Sequence, residues 1–187
     1  EKPKNPPNNL AVTGIYLYGP KLFFQAFDKI EKSQRNEYEI SDIHSYLLKN
    51  NFKVGYKEIT GWWKDTGKLD DLLVANALLM DQLGTDERNK IGQGSVLDKI
   101  TKINSPAIIG KNCQLTNCQI GPYVTIGDNC IVKNAHITNS MIFSNCNIDF
   151  ATTLDKSIIG KGAKVIKKYQ DNKVHNLIVG DSENIEL

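Results

Sequence analysis

Four cysteines, three histidines and a small set of acids and bases are the side chains through which this chain could do chemistry. Cys113, Cys118, Cys130 and Cys146 match no paired C-x-x-C ligand set, and His136 alone would not complete a zinc site. Without a secretory context a disulfide framework is not expected either, so the four are read as small apolar core residues. Asp65 stands in Trp63-Lys64-Asp65-Thr66-Gly67, directly ahead of an apolar-periodic run, where position alone favours capping of the next helix. Lys2 and Arg35 lie on polar stretches, as solvated surface cations do, and Trp62-Trp63 could be ordinary core. His44 falls on a predicted helix as a surface or structural residue. His136, in Asn134-Ala135-His136-Ile137, is an imidazole that could take a proton as a general base.

Composition narrows the classes. The chain has 187 residues with 40% apolar and 24% charged side chains, the profile of a folded globular protein. A net charge of +2 is too small for an electrostatic nucleic-acid binder. No apolar run approaches the roughly 18 residues needed to span a bilayer. The polar opening Glu1-Lys2-Pro3-Lys4-Asn5-Pro6-Pro7-Asn8-Asn9 is not a secretory signal, so the expected compartment is the cytoplasm, with neither nucleic acid nor membrane as partner.

The elements that must position these residues begin with a repeat. Ile91-Gly92-Gln93-Gly94-Ser95, Ile109-Gly110-Lys111-Asn112-Cys113, Ile120-Gly121-Pro122-Tyr123-Val124, Ile126-Gly127-Asp128-Asn129-Cys130 and Ile159-Gly160-Lys161-Gly162-Ala163 share one pattern. Each has an aliphatic residue, Gly, two mostly polar residues and a small residue, the hexapeptide signature of a left-handed parallel β-helix. Aliphatic residues recur after 18, 17, 16 and 17 positions from Ile91 through Ile109, Ile126 and Ile142 to Ile159, one triangular coil at a time. The glycines are expected at corners, in backbone conformations a β-carbon would penalise. Cys113, Cys130 and Cys146 fall at the small interior position, and the preceding Asn112, Asn129 and Asn145 suit left-handed turn geometry. Coils bury their faces only by stacking, so a cap is needed, and Lys164-Val165-Ile166-Lys167-Lys168 with the tail to Leu187 is expected to form it. The β-helix domain is placed at residues 85–187.

Residues 1–84 read as the end of an α/β domain. Leu10–Tyr18 and Lys53–Ile59 are predicted strands. Lys21–Glu31, a segment from Ser41-Asp42 to Leu48, and the run after Gly67 from Leu69 to Leu83 are predicted helices. Asp70 and Asp71 in the first turn of the last complement its macrodipole. Two or three strands and three helices make a thin core for a free-standing α/β domain, so an N-terminal half is expected beyond this chain.

Several motifs together resemble the glucose-1-phosphate thymidylyltransferases, in the long form with an appended β-helix. They are Glu1-Lys2-Pro3, the strand Asn9-Leu10-Ala11-Val12-Thr13-Gly14-Ile15-Tyr16, the segment Ser33-Gln34-Arg35-Asn36-Glu37-Tyr38-Glu39-Ile40-Ser41-Asp42, Trp63-Lys64-Asp65-Thr66-Gly67, and the closing Leu177-Ile178-Val179-Gly180-Asp181-Ser182. Asn36 replaces the Gly that the family carries in the second segment. The resemblance implies a partial nucleotidyltransferase (Rossmann-like) domain followed by the β-helix. It implies transfer between a sugar-1-phosphate and a nucleoside triphosphate, most simply glucose-1-phosphate and dTTP giving dTDP-glucose and pyrophosphate. By the same resemblance Asp65 is one of two aspartates holding Mg²⁺, Glu1 accepts hydrogen bonds from sugar hydroxyls, and Lys2 and Arg35 face phosphates. Val12 lines the sugar pocket, and Trp63 shapes the wall beside the metal. The family's Gly-rich G-G-x-G-T-R loop and the second aspartate appear nowhere in the sequence, so this chain alone is expected to be inactive.

Two other classes fit the repeat. A hexapeptide-repeat acyltransferase would use His136 to activate an amine, although nothing in the sequence beside it marks an acyl-CoA groove. A non-catalytic β-helix module for oligomerisation or regulation needs only the flat coil faces. A homo-oligomer is expected in each case.

Overall fold

The computed structural model describes residues 5, 8–166 and 174–186. The chain forms two compact units, residues 1–63 and 64–187.

In the first unit the helices are α1 (Pro20–Phe27) and α2 (Ile40–Lys49). Pro20 opens α1, where its fixed φ suits a first turn and its missing N–H costs nothing. The two helices bury Ala26, Ile43 and Leu47 between them, with Tyr18, Leu22 and Phe23 packed against the cluster. The N-cap of α2 is Glu39 rather than Ser41 or Asp42.

The two segments expected as strands, residues 10–18 and 53–59, form none. A strand exists only against a hydrogen-bonded neighbour, and neither segment finds one among the described residues. Their apolar side chains are correspondingly bare. Val12 is 73%, Ile15 81%, Leu17 99% and Tyr56 84% exposed.

The second unit opens with α3 (Leu69–Gln82). The Asp71 carboxylate accepts the Lys68 backbone N–H at 3.3 Å and pairs with Lys64 Nζ at 2.6 Å, fixing the entry to the helix. α3 docks on the coils that follow through Asn76, whose side-chain oxygen accepts the Thr125 hydroxyl at 2.7 Å. Tyr123 donates its phenol to Asp81 at 3.1 Å, and Met80 is buried.

From Ile91 onward the chain is a parallel β-helix; every strand pairing among the described residues is parallel. The sequence register is the spatial one. Ile91, Ile109, Ile126, Ile142, Ile159 and Val179 stack as one inward column. Leu97, Leu115, Val132, Ile148, Val165 and Ile185 form a second. Ile103, Ile120, Ile137 and Leu154 form the third. These columns are the three walls of a prism, and each fully buried aliphatic side chain stabilises it by about 1.5–3 kcal/mol relative to exposure. The tail enters the same order, with residues 178–179 and 184–186 extending two of the columns by another rung.

All four cysteines are buried and free. The Cys113, Cys130 and Cys146 thiols donate to the carbonyls of Gly127, Phe143 and Gly160 on the next coil at 3.1, 3.1 and 3.0 Å. Left-handed corner geometry is supplied by asparagine: Asn112, Asn129 and Asn145 have φ of 54°, 58° and 64° and bond to one another along the axis.

Of the five hexad glycines, Gly121 has the expected left-handed geometry, with φ 98°, whereas Gly92, Gly110, Gly127 and Gly160 are not in the positive-φ region and have a different reason. A β-carbon at Gly92 would lie 2.4 Å from the Gly110 carbonyl carbon, and one at Gly160 would lie 2.5 Å from that of Gly180. Glycine is required there by the close approach of successive coils, while the left-handed dihedrals fall two residues later, on Gly94, Asn112, Asn129 and Gly162.

Candidate functional site

Arg35 sits in a turn immediately before α2. Its Nη2 donates to both Glu39 oxygens at 2.7 and 2.8 Å, and its Nε donates to Oε1 at 3.1 Å. Glu37 lies 3.6 Å away. Glu39 also accepts the Ser33 hydroxyl at 2.9 Å. The guanidinium and then the Ser33 hydroxyl hold the Glu39 carboxyl below the usual carboxylate range. Asn36 has φ 60°, so it supplies the left-handed conformation for which a glycine would serve, and the turn closes with its N–H on Ser33 O at 2.8 Å. The aromatic neighbourhood of this unit includes a Tyr18–His44 hydrogen bond of 2.6 Å, which gives His44 a structural role. Val12 and Trp63 are both exposed, at 73% and 47%. Glu1 and Lys2 lie outside the described residues.

In the second unit Asp65 is exposed in the loop before α3. It does not cap the helix; that work is done by Asp71. Among the described residues the Asp65 carboxylate accepts no hydrogen bond and forms no ion pair, and it lies close to Gly67, where a hypothetical β-carbon would touch Oδ1 at 3.6 Å. A bare carboxylate next to a glycine suits a hard cation that takes one or two carboxylates and keeps the rest of its shell as water and phosphate oxygen. Among the described residues no group of three His, Cys, Asp or Glu side chains comes together as a complete metal cage.

The coils carry a further open concavity of about 500 Å³, lined by Lys102, Asn117, Gln119, Asn134, His136 and Thr153 among others. His136 therefore does lie in a groove. Neither of its ring nitrogens has a hydrogen-bond partner among the described residues, so nothing orients it as a base.

Residues 1–82 match the family model described as nucleotidyl transferase, and residues 103–186 match the one described as GMPPB C-terminal domain. The chain thus carries a nucleotidyl transferase segment followed by a GMPPB C-terminal domain. Across its full length it is 29% identical to a glucose-1-phosphate thymidylyltransferase of Streptomyces antibioticus, covering 55% of that protein. It is 30% identical to the low-salt glycan biosynthesis nucleotidyltransferase Agl11 of Haloferax volcanii, covering 56% of it. Over 86% of the chain it is 34% identical to the bifunctional protein GlmU of Methanocaldococcus jannaschii, covering 42% of that protein. The chain thus spans about half the length of the curated relatives it matches. No helix among its described residues is long and apolar enough to cross a membrane.

Two participants escaped the sequence reading. Glu39 holds Arg35 bidentately, a contact signalled only by the four-residue spacing of opposite charges. The outward column Lys102, Gln119, His136 and Thr153 was legible as polar residues recurring every 17 positions, the coil period itself.

Proposed function

We propose that this chain supplies the sugar-phosphate side of a glucose-1-phosphate thymidylyltransferase. In that reaction a phosphate oxygen of glucose-1-phosphate attacks the α-phosphorus of dTTP, the α–β phosphoanhydride bond breaks, and pyrophosphate leaves as dTDP-glucose forms. Such transfer depends on positioning and on neutralising phosphate charge. Arg35 contributes forked donors to the phosphates, with Glu39 and Ser33 fixing its orientation. Lys2 adds a second cation, Glu1 accepts hydrogen bonds from the sugar hydroxyls, and Val12 and Trp63 line the pocket. Asp65 is the carboxylate for Mg²⁺, which when bound neutralises phosphate charge. The observation that carries this reading is the bare Asp65 carboxylate in its D-T-G loop, which has no structural task among the described residues. Uridine and other sugars are the competing specificities, since relatives of several names match. A homo-oligomer built through coil faces and a cytoplasmic location belong to the same proposal.

The test has two arms. The isolated chain, given dTTP, glucose-1-phosphate and Mg²⁺, is expected to release no pyrophosphate, because the Gly-rich loop and second aspartate are not in it. Turnover by this chain would overturn that part. The product of the native gene is expected to release pyrophosphate and to lose at least about 100-fold in kcat on Asp65→Asn, the scale of removing one electrostatic contact to developing charge. Unchanged turnover would remove Asp65 from the site.

A further inference from the structure

The loop that carries Asp65 is closed by one side chain to which the transferase reading gives no role. Lys64 precedes Asp65 and Lys68 follows Gly67, so the two lysines bracket a three-residue excursion, Asp65-Thr66-Gly67. The Asp71 carboxylate holds both ends of it. Its Oδ1 lies 2.6 Å from Lys64 Nζ, and its Oδ2 accepts the Lys68 backbone N–H at 3.3 Å. With one oxygen on each end, Asp71 is a staple across the mouth of the loop.

The staple has a fixed base. Asp71 lies in the first turn of α3, and its own backbone N–H donates to Lys68 O at 3.1 Å. Further along the same helix Asn76 accepts the Thr125 hydroxyl at 2.7 Å and Asp81 accepts the Tyr123 phenol at 3.1 Å, which tie α3 to the coils. At the other side of the excursion the chain curls back on itself. A β-carbon at Gly67 would touch Asp65 Oδ1 and Oδ2 at 3.6 and 3.7 Å, so the carboxylate lies over Gly67 within the stapled loop.

Asp70 shows that helix stabilisation does not explain this geometry. It shares the first turn of α3 and the same charge, and either residue would complement the macrodipole. Among the described residues Asp70 is exposed and bonds to neither lysine. A part-exposed ion pair such as Lys64–Asp71 adds little to stability. Its effect is geometric: a carboxylate that is to meet a small cation with strict coordination geometry needs partners behind it that fix where it points. We infer that Asp71 is a positioning residue for the transferase site, holding the Asp65 loop in one conformation through Lys64 and Lys68. Lys64 is the tie, and the inference rests on the reading of Asp65 as the Mg²⁺ carboxylate.

Three variants test the staple. Lys64→Met removes the ion pair. Asp71→Asn removes the same pair but keeps an acceptor for the Lys68 N–H, and so preserves the start of α3. The double variant removes nothing further. The first readout needs no turnover: nitrogen-15 relaxation of the Thr66 and Gly67 amides in the isolated chain. Their order parameters are expected to fall from about 0.85 towards about 0.6 in each single variant, and no further in the double variant. The second readout is the Mg²⁺ concentration for half-maximal pyrophosphate release by the product of the native gene. It is expected to rise about two- to fivefold in all three variants, the range of a part-exposed ion pair, and to change more than kcat at saturating Mg²⁺ does. A purely structural role would lower stability and leave that requirement where it was. Unchanged order parameters would overturn the inference. So would effects that add in the double variant, since Lys64 would then act on its own. Asp65→Asn is measured alongside. If it abolishes turnover while the Mg²⁺ requirement of the other variants is unchanged, the positioning inference alone fails; if it turns over normally, the Asp65 reading fails and this inference with it.

Discussion

Replacing Gly127 by alanine tests the account of the hexad glycines. A β-carbon there would lie 2.6 Å from the Ser144 backbone nitrogen, 2.8 Å from its hydroxyl and 3.0 Å from the Phe143 carbonyl carbon. Ordinary contact begins near 3.4 Å, so the nearest atom is too close by about 0.8 Å, and it is backbone, which cannot rotate away. The two rungs must part at this corner. Parting them strains the Gly127 N–H bond to Ile142 O and the Asn145 N–H bond to Asp128 O, both 2.8 Å. Overpacking costs about 1–3 kcal/mol and a weakened hydrogen bond up to about 1 kcal/mol, so a loss of roughly 2–4 kcal/mol is expected. The control is Gly84→Ala, where a β-carbon would meet nothing within 4 Å; its expected effect is within about 0.5 kcal/mol. Because all four cysteines are buried in the coils, thiol labelling along a urea gradient reports opening of this unit alone. If Gly127→Ala and Gly84→Ala open at the same urea concentration, close coil approach is not what requires glycine.

Two further outcomes follow from the same coils. Asn129→Ala places a β-branch-free but left-handed-averse residue at φ 58° and removes the bonds to Asn112 and Asn145, so it is expected to cost about 1–3 kcal/mol in the thiol-labelling assay. Asn129→Gly should recover the dihedral part, and equal losses for the two variants would contradict the left-handed assignment. Asp98 accepts the Thr101 hydroxyl and the backbone N–H groups of Asn117 and Thr101, which hold its carboxyl below the ordinary value. A depressed folded-state value means that the contribution is fully present above about pH 4, the unfolded carboxylate value, and is lost as pH falls through the folded one. Coil stability measured from pH 6 downward should therefore fall, and Asp98→Asn should flatten that fall; an unchanged slope would count against it.

The β-helix was legible because its signal is redundant. The stacked Ile91, Ile109, Ile126, Ile142 and Ile159 each repeat the same constraint, so the register needed no three-dimensional information. The positive-φ explanation holds at Gly121 but not at Gly92, Gly110, Gly127 and Gly160, because a coil approach that would put a Gly92 β-carbon 2.4 Å from the next backbone is invisible in one dimension. Residues 10–18 and 53–59 have strand composition, but strand formation depends on a neighbour, and their pattern could not reveal that none of the described residues provides one. Arg35 and Asp65 were legible only through motif order. Their surroundings, Glu39 clamping the first and no hydrogen-bond partner for the second among the described residues, depend on side-chain geometry that spacing does not encode.

The unequal coil lengths carry a consequence for how this protein can change. Successive inward residues are separated by 18, 17, 16, 17 and 20 positions, yet all of them stack in one column. In an ordinary sheet a one-residue slip turns every later side chain to the opposite face. Here each corner absorbs the difference before the next wall begins, and the following rung starts again in phase. Insertions and deletions at corners are thus confined to the coil in which they occur, and the prism can accept new loops without its frame being rewritten downstream.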